Sequence, residues 1–368
     1  MAKTIEELLG LPALMGLVEE TTTGLPQEKF LPEQFKTLKR EVIGNSAEAV
    51  LTKGQRKVAR LVKYGAPPVG APLETIAVGD WILFHTCESI VIDPVTYQRL
   101  RAYESWQLQK QGMEEIGRQV GLFVKKVENL VSSVTMFILV KGLAYFDASG
   151  NLLPTSSGAS ETLTMSIPAA NQSQLAADDS SAAIITTPWN VPTANIPAMM
   201  RVLHKVAART SGYEIDWGMY SQEIPGYMLQ NSYTRPLIAK HDKARESFLM
   251  KNEIPDGFLG ISRWIPGYKA FFEDSSAVNQ PIMSANTISF MPTPTKAWYE
   301  LVEGSRYVPT QLLASSVESA LSSLELKYGK FIYCVMDPRA VALEIIQGHT
   351  FAPTIKVPAA LWQPTLVF

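Results

Sequence analysis

The feature that most constrains this chain is a long helical segment predicted over residues 93–142. Asp93 and Pro94 form a typical helix start, an N-cap residue followed by proline at the first helical position. Lys141 and Gly142 form a typical helix end, a basic last turn followed by a C′ glycine. A continuous helix of this length would be about 70 Å long at ~1.5 Å per residue, a spine against which other layers can lie. Apolar residues recur every three or four positions in its second half, at Met113, Ile116, Val120, Phe123, Val127, Leu130, Val134 and Phe137.

Three glycines interrupt this pattern, so we expect two helical pieces, of which the second is longer. Gly112, Gly117 and Gly121 favour a break or bend, because glycine is the least rigid residue in a helix. A coiled coil is the usual role of so long a helix, but the first half keeps no clean heptad. The chain also offers no second helix of this kind as a partner.

Composition narrows the class of protein. The length of 368 residues suggests two or more domains, or one elaborate domain, and a hydrophobic content of 46% is ample for a core. With 33 basic and 35 acidic residues the net charge is −2, which argues against a dedicated nucleic-acid binder. A protein that only encloses nucleic acid stays compatible with this charge.

The cysteines and the apolar runs indicate a soluble protein of a reducing compartment. Cys87 and Cys334 lie far apart among strand-like residues, so we expect both to be buried free thiols. The N-terminus carries acidic residues where a signal peptide needs an apolar core. The longest apolar run, residues 134–140, is far shorter than the ~20 residues of a membrane span.

Before the spine, the sequence predicts an arm and an extended basic loop. Residues 1–41 hold too little apolar mass to fold alone, so they are expected to lie on another surface. Strands are predicted at residues 47–51, 57–64 and 76–86, with a turn at 52–55 and an irregular Gly/Pro-rich loop at 65–72. Five cations suggest contact with phosphate or, as we favour, a solvated hairpin or one that reaches an acidic partner surface: Lys53, Arg56, Lys57, Arg60 and Lys63. A two-stranded loop is marginal alone and needs another surface, such as a neighbouring subunit.

After the spine, the pattern alternates between strands and short helices. A hairpin is predicted with its turn at residues 147–151, followed by a half-buried strand through Leu163, Met165 and Ile167. The predicted helices cover residues 197–209, 220–231 and 312–326. The predicted strands cover residues 287–291, 330–336, 341–347, 354–357 and 364–368, and the last of these should be tucked into a sheet or an interface.

No catalytic, cofactor-binding or metal-binding residue is predicted. Neither a phosphate-binding glycine loop nor a nucleophile motif occurs. The histidines lack further ligands at metal-site spacing and are expected to be surface or satisfied core residues: His85, His204, His241 and His349. Asp178 and Asp179 favour a solvated loop over a cation site. An aromatic set favours core or interface over a pocket: Trp189, Trp217, Tyr220, Tyr227 and Tyr233.

The order and spacing of several individually weak motifs resemble one protein family over nearly the whole chain. Those motifs are Val58-Ala59-Arg60-Leu61-Val62 before Gly65-Ala66-Pro67-Pro68, Val140-Lys141-Gly142-Leu143 before the 147–151 hairpin, Thr187-Pro188-Trp189-Asn190, the segment from Tyr213 to Tyr220 before Leu229-Gln230-Asn231, Asp337-Pro338-Arg339, and Phe351-Ala352-Pro353. In this order they resemble the major capsid proteins of tailed bacteriophages, most closely the lambda-type capsid protein E family.

The resemblance implies an α+β fold with four parts. Residues 1–44 would be an N-terminal arm, and residues 45–92 an extended β-hairpin loop that lies over a neighbouring subunit. Residues 93–187 and 341–368 would form the peripheral domain with its long spine helix. Residues 188–340 would form the axial domain around five- and six-fold axes.

The resemblance also implies a structural rather than an enzymatic role. Copies would self-assemble into hexamers and pentamers, then into an icosahedral capsid that encloses double-stranded DNA without binding it specifically. A portal, a cement protein and, because the arm is short, a separate scaffold protein would be its partners. The location would be the virion, with assembly in the host cytoplasm and no membrane contact.

Three other hypotheses stay open on the sequence. An encapsulin-like cellular nanocompartment would share the shell fold and would carry a patch that binds cargo. An enzyme would need polar groups that converge on Trp189 and Trp217. A tail tube or decoration protein would leave the long spine helix unexplained.

Overall fold

The structure is a computed structural model that describes residues 31–44, 46–51, 77–92, 94–101, 105–173, 184–240, 242–274, 276, 278–309, 324–337 and 342–367. Its α-helices are α1 (Glu33–Thr37), α2 (Pro94–Arg101), α3 (Trp106–Lys141), α4 (Ile196–Ser211), α5 (Ile224–Gln230), α6 (Arg235–Ala239) and α7 (Asp242–Glu246). The strands of the first half are β1 (Lys39–Val42), β2 (Ser46–Leu51), β3 (Ala77–Ile82), β4 (Phe84–Ile92), β5 (Leu143–Phe146), β6 (Leu152–Leu153), β7 (Glu161–Thr164) and β8 (Gln172–Ser173). Those of the second half are β9 (Trp217–Tyr220), β10 (Arg263–Pro266), β11 (Phe271–Glu273), β12 (Asn279–Pro281), β13 (Ile288–Met291), β14 (Tyr299–Pro309), β15 (Leu324–Tyr328), β16 (Lys330–Asp337), β17 (Ala342–Ile355) and β18 (Gln363–Pro364).

The largest sheet is built on β17, a strand of 14 residues. β4 runs antiparallel along one side of it, while β16 and then β14 run antiparallel along the other side. β1 lies parallel to β14, and β15 pairs with the last residues of β14. Segments that are far apart in sequence therefore meet in one sheet.

The prediction of separate strands at residues 341–347 and 354–357 is wrong, because β17 is continuous. In the sequence Gly348 suggests the end of a strand. In the structure it allows the neighbouring strands to approach β17 closely. A Cβ at this position would lie 2.1 Å from the carbonyl oxygen of Thr86 and 2.4 Å from the ring of Phe331. Pro353 lies beyond the last residue that pairs with β4, where one side of β17 is an edge that tolerates proline.

The long helical segment forms two pieces as predicted, α2 and the 36-residue α3. The break lies elsewhere than predicted, since α2 ends at Arg101 and α3 begins after its N-cap, Ser105. Gly112, Gly117 and Gly121 all lie inside α3 and are buried. Each glycine costs only ~1 kcal/mol in a helix, and the packing of the apolar face outweighs that cost. α3 ends at Gly142 with a φ of 69°, as the sequence predicts.

The second half of α3 is a true spine. Every residue of the stretch 131–140 is buried, so this part is covered on all sides rather than on one face. The core around it joins three layers: Phe351 and Ile355 of the main sheet, Phe146 and Met165 beside the β5–β7 sheet, and a third group that includes Trp217, Phe272 and Met291. No helix in the described ranges is long and apolar enough to cross a membrane.

A second core lies around α4. The predicted helix at residues 197–209 is confirmed as α4, and its predicted inward residues are all buried: Met199, Met200, Leu203, Val206 and Ala207. The predicted helix at 220–231 is wrong in its first part, because β9 extends to Tyr220 and α5 begins at Ile224. Pairing with β10 and β13 on both sides of β9 overrides the local pattern there.

The remaining predictions have mixed outcomes. The hairpin around residues 147–151 and the strands at 287–291 and 330–336 are confirmed as β5–β6, β13 and β16. Of the predicted helix 312–326, the described end is strand β15, drawn into β structure by its pairing with β14; the rest lies outside the described residues. The predicted strand at 364–368 is wrong beyond its first residue, because β18 ends at Pro364. The chain near this end is nevertheless tucked in, since the carbonyl of buried Leu366 accepts a hydrogen bond from the Trp189 amide at 2.8 Å.

Candidate functional site: the base of the arm and the ribbon

Two extensions leave the main sheet at neighbouring points. The described part of the N-terminal arm, residues 31–42, comprises α1 and β1 and lies on the sheet. The ribbon, β2 with β3, is an antiparallel pair whose register runs from Ser46 opposite Ile82 to Leu51 opposite Ala77. Among the described residues, its strands pair only with each other. The candidate site is the place where both extensions join β14 and β17.

Phe35 anchors the arm in the core. Its side chain is fully buried, and its ring meets those of Trp217, Trp298 and Tyr299 edge to face at centroid distances of 5.8, 6.2 and 5.0 Å. Edge-to-face aromatic pairs add stabilisation beyond the area that they bury. Leu38 then offers its carbonyl to the Leu301 amide at 2.8 Å, which starts the parallel pairing of β1 with β14.

Two buried carboxylates of β14 hold the cations of β1. Glu303 Oε1 lies 2.7 Å from Lys39 Nζ, and Glu300 Oε1 lies 3.0 Å from the guanidinium of Arg40. Glu300 has a second cation, Lys356, at 2.6 Å. Buried charges need such partners, because an unpaired carboxylate away from water is costly.

His349 is the other partner of Glu303. Its Nε2 lies 3.3 Å from Glu303 Oε1, and the side chain is 2% exposed. Burial lowers the pKa of His349, and the charges of Lys330 and Lys39 lower it further, although the hydrogen bond to Glu303 acts in the opposite direction. Burial would raise the pKa of Glu303, but hydrogen bonds from His349 and Lys39 outweigh it and hold that pKa below its usual range.

The opposite face of the sheet carries a second histidine in a stack of rings. His85 lies parallel to Phe331 at 5.7 Å, and the Arg306 guanidinium lies 4.9 Å from the Phe331 centroid. Because Arg306 donates to His85 Nε2, the ring proton lies on Nδ1 and is donated to Thr350 Oγ1 at 2.9 Å. Partial burial, and then the charge of Arg306, lower the pKa of His85.

The base of the ribbon is tightly packed. A Cβ at Gly304 would lie 2.6 Å from Leu83, 2.7 Å from Thr350 and 2.8 Å from the carbonyl oxygen of Gly44. The Gly44 amide also donates to Ser305 Oγ at 3.0 Å. Leu83, which separates β3 from β4, is buried against Val302 and Ala352. The predicted single strand 76–86 is therefore two strands, with the pivot at Leu83.

His85 and His204 lie as the sequence predicts, whereas His349 is a core residue that is only partly satisfied, because its Nδ1 has no hydrogen-bond partner among the described residues. His85 is an exposed surface residue, and a ring nitrogen of His204 lies 3.3 Å from the Leu259 carbonyl. His349 is a core residue bonded to Glu303. His241 lies outside the described residues, as do Asp178, Asp179 and the five cations of the loop, so the predictions for them stay predictions.

The aromatic set does not converge on one pocket. Trp189 and Tyr220 are buried in the α4 core, whereas Trp217 belongs to the core around α3. The Tyr227 hydroxyl is 2.6 Å from Asn286 Oδ1, and Tyr233 is exposed. The core prediction is therefore confirmed for the two tryptophans and Tyr220.

The two cysteines are both free, but only Cys334 is buried. Burial raises the pKa of its thiol to about 12. The prediction that Cys87 is buried is wrong, because Cys87 shares its face of the sheet with Phe331 and that face is exposed at β4. Cys334 lies on the opposite face of the sheet and is buried there, so the two thiols are not neighbours.

Sequence reasoning missed the four charged residues that fasten the arm, Lys39, Arg40, Glu300 and Glu303. The available signal was a pair of carboxylates, Glu300 and Glu303, that alternate with apolar residues in the segment 298–303. Charged residues are rarely buried unless they are paired, so such a pair indicates distant cations. The sequence alone does not show which cations those are.

Comparisons with known proteins complete the description. No protein-family model matches the chain, and no curated protein matches it. Among solved structures, it is similar to the putative capsid protein of a prophage of Escherichia coli CFT073, with 11% identity, 98% of this chain and 99% of that chain covered, and a TM-score of 0.48. It is similar to a phage-related protein from Bordetella bronchiseptica RB50, with 10% identity, coverage of 95% and 96%, and a TM-score of 0.45. It is also similar to the SrpI encapsulin of Synechococcus elongatus PCC 7942, with 8% identity, coverage of 93% and 90%, and a TM-score of 0.43.

Proposed function

We propose that this chain is a major capsid protein of a tailed bacteriophage, of the lambda type, and has a structural rather than an enzymatic role. Copies self-assemble into hexamers and pentamers, which form an icosahedral shell around double-stranded DNA. A separate scaffold protein, a portal and a cement protein are its partners. The protein assembles in the host cytoplasm and resides in the virion.

The observation that carries this proposal is the ribbon. β2 and β3 leave the sheet at a packed base, pair only with each other among the described residues, and are joined by residues 52–76. A two-stranded ribbon without a third layer is marginal in water. A surface beyond this copy would stabilise it, and a second copy is the partner that a shell provides.

The rest of the fold also supports the proposal, because it forms a packed body to which such extensions can attach. α3 passes through the main core and contacts both the β5–β7 sheet and the layer of β9 and β13. A copy that is rigid at its centre and extended at its edges makes heterologous contacts, and such contacts form rings when the rotation closes.

The four-part division belongs to the same proposal. Residues 1–44 are the arm and residues 45–92 the extended loop, while residues 93–187 with 341–368 form the peripheral domain and residues 188–340 the axial domain. The main sheet links these parts, since β17 of the tail pairs with β4 and with β14 and β16. This linkage would transmit a displacement of the arm or loop to the rest of the subunit.

The low net charge of the chain supports a role in enclosing DNA rather than binding it. A net charge of −2 gives little general attraction to DNA, so the genome can enter and leave a shell of such copies. The five cations of the loop are then available for a partner surface rather than for the genome.

The test is electron microscopy of the purified recombinant protein, with its mass measured by light scattering. We expect rings or closed shells of uniform size, formed either alone or with a co-expressed scaffold protein. A protein that stays monomeric or dimeric under both conditions would overturn the proposal. Shells that instead retain a specific cellular cargo protein would support an encapsulin-like compartment.

A further inference from the structure

A cavity of about 400 Å³, lined by several charged side chains, lies between the arm, the spine helix and the main sheet. The arm contributes residues of α1 and β1, the spine contributes Glu128, Val131 and Ser132, and the sheet contributes residues of β14, β16 and β17. His349 lines this cavity, and six charged side chains line it as well: Glu33, Lys36, Lys39, Glu128, Glu303 and Lys330. Because His349 and the arm line the same cavity, the charge of this histidine can affect how the arm is attached.

The hydrogen bonding of His349 fixes where its proton lies. Nε2 faces a carboxylate oxygen of Glu303, which can only accept, so Nε2 carries the proton and Nδ1 is left with a lone pair. Nδ1 has no hydrogen-bond partner in the part of the chain that the structure describes. This buried basic nitrogen therefore has no partner that holds its lone pair, and it belongs to a residue that lines the cavity.

A second proton on His349 would disturb the balance of charge around Glu303. At present Glu303 neutralises Lys39, and Lys330 is paired with Glu128. A protonated His349 would add a further positive charge beside Lys39 and Lys330, whose charges already oppose its protonation. Lys39 is the partner that can leave, because its side chain is 47% exposed whereas that of His349 is 2% exposed.

We propose that His349, Glu303 and Lys39 form a clasp that holds the arm at neutral pH and releases it in acid. A proton from water binds Nδ1 of His349, the resulting imidazolium takes over Glu303, and Lys39 turns to solvent. β1, a strand of four residues that pairs with β14 at the edge of the sheet, then separates. This inference goes beyond the proposed function and does not depend on it.

The electrostatics give the direction of the effect. Burial and the two nearby lysines hold the pKa of His349 below its usual value while the arm is attached. Release of the arm admits water to the cavity and removes Lys39, so the pKa rises toward the ordinary value. Because the released form binds the proton more tightly, attachment is favoured above the ordinary histidine pKa and weakens as the pH falls below it.

The direct test is hydrogen exchange of the β1 amides, measured from pH 7.5 to pH 5 and corrected for the intrinsic exchange rate. We expect protection of β1 to fall from about pH 6.5 downward, by at most about tenfold per pH unit, which is the limit for one proton. The amides of residues 134–140, in the fully buried part of the spine, should keep their protection over the same range.

Three substitutions identify the residues responsible. His349→Gln cannot take the proton, so protection of β1 should not change with pH. Lys39→Gln should show at pH 7.5 the low protection that the natural chain shows at pH 5. Arg40→Gln is the matched control: its partner Glu300 keeps Lys356, so protection should fall equally at every pH and the pH dependence should remain.

Two results would overturn the clasp: a natural chain whose β1 protection does not depend on pH, or a His349→Gln chain that keeps the dependence. Lys39 and Arg40 are partly exposed, so the pair of lysine and arginine variants decides the matter should His349→Gln not fold. Equal pH dependence in those two variants would also contradict the assignment to Lys39. None of these measurements requires shells to form.

Discussion

At the scale of single residues, two glycines decide how closely the layers of this protein approach. Gly348 lies where β4, β16 and β17 meet, and Gly304 lies where the base of the ribbon crosses β14. In both cases a Cβ would overlap a backbone carbonyl oxygen as well as side-chain atoms. The backbone oxygen cannot rotate away as a side chain can. These positions fix the geometry of the sheet from which the arm and the ribbon extend.

Gly348→Ala should therefore destabilise the protein despite the general gain from removing a glycine. The methyl group would meet the Thr86 carbonyl oxygen at 2.1 Å, and overpacking of this kind costs about 1–3 kcal/mol. Urea unfolding gives the change in free energy. Gly226→Ala in α5 is the control, because its Cβ would meet nothing within 4 Å, and a gain of up to about 1 kcal/mol is expected there. A neutral Gly348→Ala would mean that β4 shifts easily.

At the scale of elements, the arm shows how a segment without a core of its own becomes fixed. Its five-residue helix α1 is far too short to be stable alone. Burial of Phe35 among three aromatic rings and the parallel pairing of β1 supply what the helix lacks. The sequence predicted an arm that lies on another surface, and for residues 31–42 that surface is this chain's own sheet.

Phe35→Ala should loosen the arm. Truncation of a buried phenylalanine costs about 3–5 kcal/mol, and here detachment of a terminal segment limits the loss for the whole fold. We expect faster exchange of the β1 amides and a change in tryptophan fluorescence, because Trp217 and Trp298 lose their neighbour. Thr37→Ala, at an exposed position of the same helix, should change neither signal. Unchanged exchange in Phe35→Ala would show that the ion pairs of β1 suffice.

At the scale of the whole molecule, the ribbon and the spine have opposite roles. The second half of the spine is buried in the core of this chain, whereas the ribbon carries 25 further residues, 52–76, beyond its last described pair, Leu51 with Ala77. If these residues continue the antiparallel pair at ~3.3 Å per residue, they would reach about 40 Å beyond it, as the proposed contact with a neighbouring copy requires. Assembly is therefore the property that its removal should affect.

Deletion of residues 52–72 is the matching experiment. It leaves residues 73–76 as a four-residue connection between the paired Leu51 and Ala77, a length that hairpins accept. We expect a soluble subunit with unchanged circular dichroism and melting temperature that forms no closed shells by microscopy and light scattering. Normal shells from this variant would contradict the role of the loop.

A full-length control separates the reach of the loop from its charge. Glutamine replaces five cations in it: Lys53, Arg56, Lys57, Arg60 and Lys63. Shells that persist in this control would assign assembly to the length of the loop, and their loss would assign it to charge.

The sequence by itself determined the elements whose signals are local. The end of the spine at Gly142, the inward face of α4 and the hairpin around residues 147–151 follow from periodicity, caps and turn residues within a few positions. It did not place the break of the spine, because the glycines that favoured one are buried inside α3, where packing outweighs their low helix propensity. It also did not locate Cys87, whose exposure depends on the face of a strand at the sheet's edge.

Only the tertiary structure decided which distant segments share a sheet. β17 became one strand of 14 residues because β4, β14 and β16 pair along it, although Gly348 and Pro353 are weak strand formers. Lys39, Glu303 and His349 became neighbours for the same reason. Pairing between segments hundreds of positions apart carries no local signal, and burial of a charge becomes visible only when its partner is in place.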